Sequence, residues 1–355
     1  MAAVKRSLNV GVVGMGRMGV PIARNLAFKS RGALYLQLHS RELSRAKLVS
    51  NDLSVDGAQC AMRLHNRYET MTKWCDVILS VLSDVKASRY AMLEASDGLL
   101  RCARPGQIIV EHTTIDVETA KEYDTVARER GAVFLDAPLS GNPQGALNGQ
   151  LTIMAGGEED AYLKVLPLFR LYAETIHRMG YCGSGSATKG LISMLVASHS
   201  LATAEAMTMA HQLGIDSCEN LISVLDSSWG SSTMLRRNAP TTQKMLRNPE
   251  QPPPVSSATV NSLLNDLGLF KKGAAFDSAI IDDASFPTLH HACNVLARAS
   301  IAGVGDRDIA GIVHFLDAAG TPSKPQQPED TDVRSKKSTE GTKVYALPEE
   351  ELEVY

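Results

Sequence analysis

The stretch Leu8-Asn9-Val10-Gly11-Val12-Val13-Gly14-Met15-Gly16-Arg17-Met18-Gly19 decides the fold. Its first six residues form a short apolar run, which is typical of a buried strand, and a turn with three closely spaced glycines follows directly. The next segment has apolar residues on one helix face, and residues 33–38 are apolar again. Strand, glycine turn, helix and strand in this order predict one parallel β-α-β unit.

Further apolar runs extend this pattern along the chain. Residues 77–82, 108–110 and 133–135 are candidates for buried strands, with helical segments between them, and the run at 133–135 is the last of the series. Such alternation predicts an α/β fold with a doubly wound sheet.

The strand pattern disappears after about residue 183. Helical patterns follow at 187–213, 218–225, 256–275 and 288–302, and the three consecutive prolines at 252–254 predict a loop. We therefore expect a sheet domain at 1–182 and an all-α domain at 183–320, built on one long interdomain helix.

The last 35 residues, 321–355, are rich in charge and proline and have almost no apolar periodicity. Such a segment buries too little apolar surface to offset its ordering entropy, so it is expected to be a disordered tail. The tail has five basic and eight acidic residues, which leaves equal numbers of basic and acidic residues in the rest of the chain. A body without net charge does not favour nucleic-acid binding.

Cysteine and histidine patterns give no sign of a metal site. The six cysteines are scattered and never form a C-x-x-C pair, which indicates reduced thiols in an intracellular protein. His290 and His291 are adjacent, so on a helix they point in different directions. Only seven residues precede the first strand and no apolar run could span a bilayer, so we expect a cytoplasmic protein without a membrane segment.

The glycine turn lies where a nucleotide-binding loop needs it, between a strand and a helix. Gly14 permits the tight turn, Gly16 lets the backbone approach a pyrophosphate, and Gly19 allows close packing of the helix. The helix N-terminus offers unpaired N–H groups and a partial positive charge to phosphates. An ordinary β-α turn is the alternative interpretation of the same residues.

The end of the second strand distinguishes NADP from NAD. NAD enzymes place Asp or Glu there, whereas this chain has His39-Ser40-Arg41. A carboxylate would repel a 2′-phosphate, but Ser40 can donate to it and Arg41 can form a charged fork around it. Glu42 could instead turn inward and bind the ribose. This chemistry favours NADP, with NAD as the alternative.

Two further segments are candidates for substrate chemistry. Ser140 follows the last predicted strand in a segment rich in small residues, and could bind a substrate carboxylate or simply lie in a solvated turn. Lys189 lies in the first turn of the long helix, at the domain junction where clefts form. The helix dipole and partial burial both disfavour its charged form, which suits a residue that takes and returns a proton. A solvated surface lysine is the alternative.

Four ordered motifs together resemble the β-hydroxyacid dehydrogenase family, which includes 3-hydroxyisobutyrate dehydrogenase and, more distantly, 6-phosphogluconate dehydrogenase. The motifs are Gly14-Met15-Gly16-Arg17-Met18-Gly19, Asp136-Ala137-Pro138-Leu139-Ser140-Gly141, Leu151-Thr152-Ile153-Met154-Ala155-Gly156-Gly157 and residues 183–189. The resemblance covers roughly residues 8–316. It implies an N-terminal Rossmann domain, a helical C-terminal domain, and homodimers or homotetramers packed through the helices.

The resemblance also implies roles for individual residues. Lys189 would be the general acid/base, and Ser140 and Gly141 would hold the substrate carboxylate. Leu82 and Ser83 would line the path of the cofactor, and Thr114 would lie near the nicotinamide ribose. Ser40-Arg41 resembles the Asn-Arg of NADP-preferring members. The implied reaction is reversible hydride transfer between a small hydroxyacid and its semialdehyde.

Three positions depart from the family pattern. Asn142 replaces a glycine after Ser-Gly, Ser193 replaces the asparagine that binds the substrate hydroxyl, and Asn265 replaces a lysine near cofactor and substrate. An unusual substrate or reduced activity would follow. The rival hypothesis is therefore a nucleotide-binding scaffold protein that has kept the fold and lost most of its catalysis.

One segment of the helical part stays ambiguous. Trp229-Gly230-Ser231-Ser232 and Arg236-Arg237 could form a loop that reaches the cleft, or a helix connection with solvated arginines, and the second interpretation is favoured.

Overall fold

The computed structural model of this chain describes residues 8–215, 218–256, 258–273 and 286–320. The predicted tail at 321–355 lies outside the described residues. The described residues up to Ala319 form one compact unit.

All strands of the described residues lie in the N-terminal part of the chain. They are β1 (Leu8–Val13), β2 (Leu34–His39), β3 (Ala61–His65), β4 (Val77–Ser80), β5 (Ile108–Glu111), β6 (Val133–Asp136), β7 (Leu139–Ser140), β8 (Leu151–Gly157) and β9 (Ala173–Gly180).

The helices that alternate with these strands are α1 (Gly19–Lys29), α2 (Leu43–Val55), α3 (Tyr68–Trp74), α4 (Val85–Arg89), α5 (Val117–Glu129), α6 (Pro143–Asn148) and α7 (Glu159–Phe169). The helices of the C-terminal part are α8 (Ser184–Gln212), α9 (Cys218–Ser227), α10 (Thr233–Arg247), α11 (Val260–Gly273), α12 (Pro287–Ala299) and α13 (Ile312–Gly320).

The sheet has the order β3-β2-β1-β4-β5-β6-β8-β7, with β9 paired to β8. The strands from β3 to β6 are parallel, and the antiparallel pairs are those of β8 with β6 and with β7. The strand order reverses between β1 and β4, so a crevice forms at their carboxyl ends. Apolar cores cover both faces of the sheet, as doubly wound folds require.

The helical part packs around α8, which spans 29 residues. Its core includes Leu201 from α8, Val260 and Leu267 from α11 and Leu289 from α12, all buried. The predicted fold class, a Rossmann sheet followed by a helical region built on one long helix, is confirmed. Within the described parts of the chain, none of the helices combines the length and the apolar character that a membrane crossing requires.

Several predicted element boundaries are wrong. The run at 133–135 is not the last strand, because β7, β8 and β9 continue the sheet, and β3 was also missed. The helix expected at 256–275 begins only at Val260, since the Thr259 side chain accepts from the Ser262 backbone N–H and ends the preceding loop. The helical stretch expected at 288–302 is present as α12, which continues directly into a π-helical turn, Ser300–Val304, that contains Gly303 with φ +92°.

The two adjacent arginines follow the connection between α9 and α10, which agrees with the favoured interpretation, and they are also ion-paired. Both residues lie on α10 and are exposed. Arg237 makes a two-pronged ion pair with the buried Asp308, at 3.1 and 2.7 Å. Arg236 pairs with Asp226 at 2.8 Å, and the Trp229 side chain is fully exposed in the turn before α10.

Candidate functional site

The glycine loop after β1 has the geometry that the sequence predicts for a phosphate-binding turn. Gly14 has φ +101°, where a side chain would be strained, and a Cβ there would also collide with the Val81 carbonyl. By contrast, a Cβ on Gly16 would meet no neighbouring atom, so this face of the loop is open to a ligand. Met18 at the start of α1 makes no side-chain cap, which leaves the helix N-terminus available to an anion.

The other residues of the loop differ in their burial. Met15 is buried and packs into the sheet core, whereas Arg17 is exposed. A Cβ on Gly19 would collide with the Gly14 carbonyl, so the glycine at this position permits the close packing of α1. The cradle therefore fits a dinucleotide diphosphate, with the backbone as the donor.

The residues at the end of β2 face the same crevice as the loop after β4. Ser40 is buried, whereas Arg41 and Glu42 are exposed. The Ser83 hydroxyl donates to Asp84 at 2.6 Å and lowers the pKa of that carboxyl, and the positive charge of Arg41 adds to this effect. The charge of Arg41 thus acts on the Asp84 carboxyl, a group that the sequence did not single out.

The loops after β4 and β5 are joined by a hydrogen bond. The Leu82 N–H donates to the Thr113 hydroxyl at 2.9 Å. The next residue, Thr114, lines a small cavity together with Ser186 and Gly190 of α8 and Asp266 of α11. The Ser186 hydroxyl is buried there, beside the Asp136 carboxylate.

Lys189 lies beside Asp266, a carboxylate that the sequence did not single out. The lysine Nζ is 3.9 Å from the Asp266 Oδ2, and the two side chains are only 16% and 26% exposed. The buried Ser193 hydroxyl donates to the same oxygen at 3.3 Å. Burial raises the pKa of Asp266, while Lys189 and Ser193 act in the opposite direction.

Asn265 does not join this cluster. It is exposed on α11, one position from Asp266 and therefore on a different side of the helix. At position 193, the Ser193 hydroxyl donates its proton in a hydrogen bond to Asp266.

A second missed carboxylate, Asp136, anchors the helix that bears Lys189. It is buried at the end of β6 and accepts the backbone N–H groups of Gly183 at 2.8 Å and Ser186 at 2.7 Å. Burial raises its pKa to about 6, although both N–H groups oppose the rise. From the sequence, the helix dipole and partial burial were both expected to disfavour the charged form of Lys189. In the structure, Asp136 adds negative charge at that helix end and Asp266 adds more at the lysine itself.

Ser140, Gly141 and Asn142, which were expected to bind the substrate carboxylate, lie beside the start of β8 and apart from the Lys189 cluster. Ser140 pairs with Thr152 and is half-buried, and Gly141 is exposed with φ +139°. Asn142 accepts the Gly145 N–H through its side-chain oxygen at 2.7 Å, so it caps α6. Among the described residues, no hydrogen bond or ion pair joins this segment to Lys189.

The described residues contain no group of three or more His, Cys, Asp or Glu side chains arranged to hold a metal ion. The side chains of Lys189, Asp266, Ser186 and Ser193 lie close together near the carboxyl edge of the sheet.

Comparison with known proteins matches both parts of the chain to families. Residues 9–181 match the NAD binding domain of 6-phosphogluconate dehydrogenase, and residues 183–316 match the NAD-binding domain of NADP-dependent 3-hydroxyisobutyrate dehydrogenase.

Individual relatives agree with these matches. The NAD-dependent L-serine dehydrogenase of Pseudomonas aeruginosa is 31% identical over 75% of this chain and 85% of its own length. A probable 3-hydroxyisobutyrate dehydrogenase of Mycobacterium tuberculosis is 28% identical over 87% of this chain and 98% of its own. The solved structure of the Mycobacterium tuberculosis 3-hydroxyisobutyrate dehydrogenase with L-serine covers 87% of this chain and 99% of its own, with a TM-score of 0.72 and 24% identity.

Proposed function

The chain belongs to the β-hydroxyacid dehydrogenase family and is an NAD(P)-dependent oxidoreductase of CH–OH groups; we propose that it interconverts a small hydroxyacid and its semialdehyde. We further propose Lys189 as its general acid/base and NADP as its preferred cofactor. The observation that supports the proposal most is the largely buried Lys189–Asp266 pair, beside a cavity that Thr114 and Ser186 also line.

The proposed cofactor site uses residues from several strand ends. When bound, a nicotinamide cofactor supplies the redox chemistry, by taking up or giving a hydride. The backbone of the glycine loop would hold the diphosphate, and Ser40 and Arg41 the 2′-phosphate. Further residues proposed to lie along the cofactor are Leu82, Ser83, Thr114 and Asn265.

The proposed proton chemistry belongs to Lys189. In reduction its ammonium donates a proton to the substrate oxygen, and in oxidation the amine takes the hydroxyl proton. Asp266 stabilises the ammonium and limits the positions of Nζ. Ser193 holds Asp266, and Ser140, Gly141 and Asn142 are proposed to hold the substrate carboxylate.

The experiment that tests the activity is a panel of substrates assayed with both NADPH and NADH. The panel would contain 3-hydroxyisobutyrate, L-serine and other small hydroxyacids, together with small semialdehydes. Turnover of at least one of them is expected. Binding of NADPH or NADH without turnover of any member would favour the scaffold hypothesis instead.

The same panel tests the cofactor preference. Arg41→Ala removes the guanidinium proposed to hold the 2′-phosphate, so kcat/KM for NADPH should fall at least about tenfold, the loss expected for one charge-assisted hydrogen bond. The value for NADH should change by less than about twofold. Equal losses with both cofactors would contradict the proposed preference for NADP. The comparisons leave this preference open, because the matching family is described as NADP-dependent and the L-serine dehydrogenase as NAD-dependent.

We also propose that the protein forms a homodimer or homotetramer through the helical part. Leu191, Leu195 and Met209 lie on one face of α8, and each is at least half exposed. Sedimentation equilibrium should give a multiple of the monomer mass, and a monomer at micromolar concentration would contradict the proposal. The domain boundary at 182/183 and the cytoplasmic location stay predictions.

A further inference from the structure

Glu111 is a buried carboxylate that the proposed proton chemistry does not use. Glu111 is the last residue of β5 and has no exposed surface. Its carboxylate accepts hydrogen bonds from the Thr113 backbone N–H at 2.8 Å, from the Ser88 hydroxyl at 2.5 Å and from the Ser80 hydroxyl at 3.2 Å. Moving a carboxylate out of water costs free energy unless hydrogen-bond donors surround it. The buried position of Glu111 therefore depends on these three donors.

The hydroxyl groups around Glu111 come from separate elements. Ser80 ends β4 and Ser88 lies on α4, and both are fully buried. The Tyr123 hydroxyl on α5 lies 3.2 Å from the Ser88 hydroxyl and extends the cluster outward. Glu111 therefore joins two neighbouring strands to the two helices that cover them. Among the described residues, no Lys, Arg or His side chain forms an ion pair with it.

The cluster leads directly into the two loops proposed to receive the cofactor. Glu111 fixes the Thr113 backbone, and the Thr113 hydroxyl accepts the Leu82 N–H at 2.9 Å. The neighbouring Thr114 lines the cavity that contains Asp266. One buried carboxylate thus sets the position of a loop at β4 and a loop at β5, which meet at the same edge of the sheet.

We propose that Glu111 is a positioning residue, which orders the Leu82–Ser83 and Thr113–Thr114 loops for the nicotinamide half of the cofactor. The proposal rests on the proposed function, because it takes these loops as part of a nicotinamide site. Glu111 does not touch the reacting atoms and acts through Thr113. The adenosine half is held elsewhere, at the glycine loop and the end of β2, so the two halves of the cofactor should respond differently to a change at Glu111.

Glu111→Gln in the full-length protein tests the binding of the two halves of the cofactor separately. The glutamine amide has the same shape and keeps one acceptor oxygen for the Thr113 N–H. Its NH2 group, however, faces the Ser80 and Ser88 hydroxyls, which donate to the carboxylate in the wild type. Isothermal titration should show NADPH binding weakened about tenfold, the effect of losing one to two hydrogen bonds. The Kd of 2′,5′-ADP, which lacks the nicotinamide half, should change by less than about twofold.

A matched control and a second variant keep the test independent of folding. Tyr123→Phe removes a hydroxyl that contacts Ser88 but not Glu111, and its Kd for NADPH should stay within about twofold of wild type. Thr113→Val removes the acceptor of the Leu82 N–H while leaving Glu111 in place. It should reproduce the selective loss for NADPH even if Glu111→Gln fails to fold.

The outcomes distinguish this inference from the proposed function. Equal weakening of NADPH and 2′,5′-ADP would mean a purely structural role and overturn the inference, as would unchanged binding of both by Glu111→Gln and Thr113→Val. Failure of the wild-type protein to bind NADPH or NADH would overturn the proposed function, and this inference with it.

Discussion

At the scale of single residues, the site depends on carboxylates that lie far from Lys189 in the sequence. Asp266 is 3.9 Å from the lysine Nζ, and Asp136 accepts the N–H groups at the start of the same helix. The place of Lys189 near the start of the long helix could be predicted from the local pattern. The partners of this lysine could not, since no local periodicity reveals which of many acidic residues meets it after folding.

Glu111 gives a prediction at the same scale, for stability against pH. Burial raises the pKa of this carboxyl from 4.5 to about 7, although its hydroxyl and N–H donors oppose the rise. The folded protein therefore keeps a proton that the unfolded chain loses, so its contribution to stability is greatest below about pH 4.5 and is lost as pH rises to about 7.

Urea unfolding at pH 5 and pH 8 tests this contribution. The free energy of unfolding of the wild type should fall by up to about 3 kcal/mol more than that of Glu111→Gln, which has no proton to lose at this position. Asp136, whose pKa is also raised, contributes equally to both proteins. An identical change in the two proteins would show that Glu111 does not titrate in this range.

At the scale of elements, the sequence predicts those with strong local patterns and misses those that depend on distant contacts. The run at Leu8–Val13 and the long apolar helix α8 are readable directly. By contrast, β9 is half exposed and rich in polar residues, and only its pairing with β8 makes it a strand. Helix α10 contains Pro240 and was not predicted, because proline in a helix interior argues against a helix.

The start of α8 gives a prediction for an element. Asp136→Ala leaves the N–H groups of Gly183 and Ser186 without their acceptor, which should cost about 2–4 kcal/mol of unfolding free energy. The shifted helix start should also lower kcat, since Lys189 lies little more than one turn further along the helix.

A cap remote from the site provides the matched control. The Ser232 hydroxyl accepts the Leu235 N–H at the start of α10, so Ser232→Ala should cost about 1 kcal/mol of stability without changing kcat. Denaturant unfolding and steady-state kinetics would be measured on both variants. Equal kcat values for Asp136→Ala and wild type would show that the cap does not position the lysine.

At the scale of the whole molecule, the fold brings together groups that are distant in the sequence. The carboxyl ends of the parallel strands meet at one edge, and α8 begins at that edge because Asp136 holds its first N–H groups. Helix α11 then supplies Asp266 from the helical part. The strand-end rule predicts a site at this edge, while the packing of α11 on α8 decides which carboxylate faces Lys189.

The central claim is that the Lys189 amine moves the proton of the reaction, and Lys189→Ala tests it most directly. Steady-state turnover of the best substrate would be measured for this variant, for the wild type and for Lys164→Ala, which removes an exposed lysine of α7. We predict that Lys189→Ala lowers kcat at least about a hundredfold, that its Kd for NADPH stays within about twofold of wild type, and that Lys164→Ala matches wild type. Turnover by Lys189→Ala equal to that of the wild type would contradict the account.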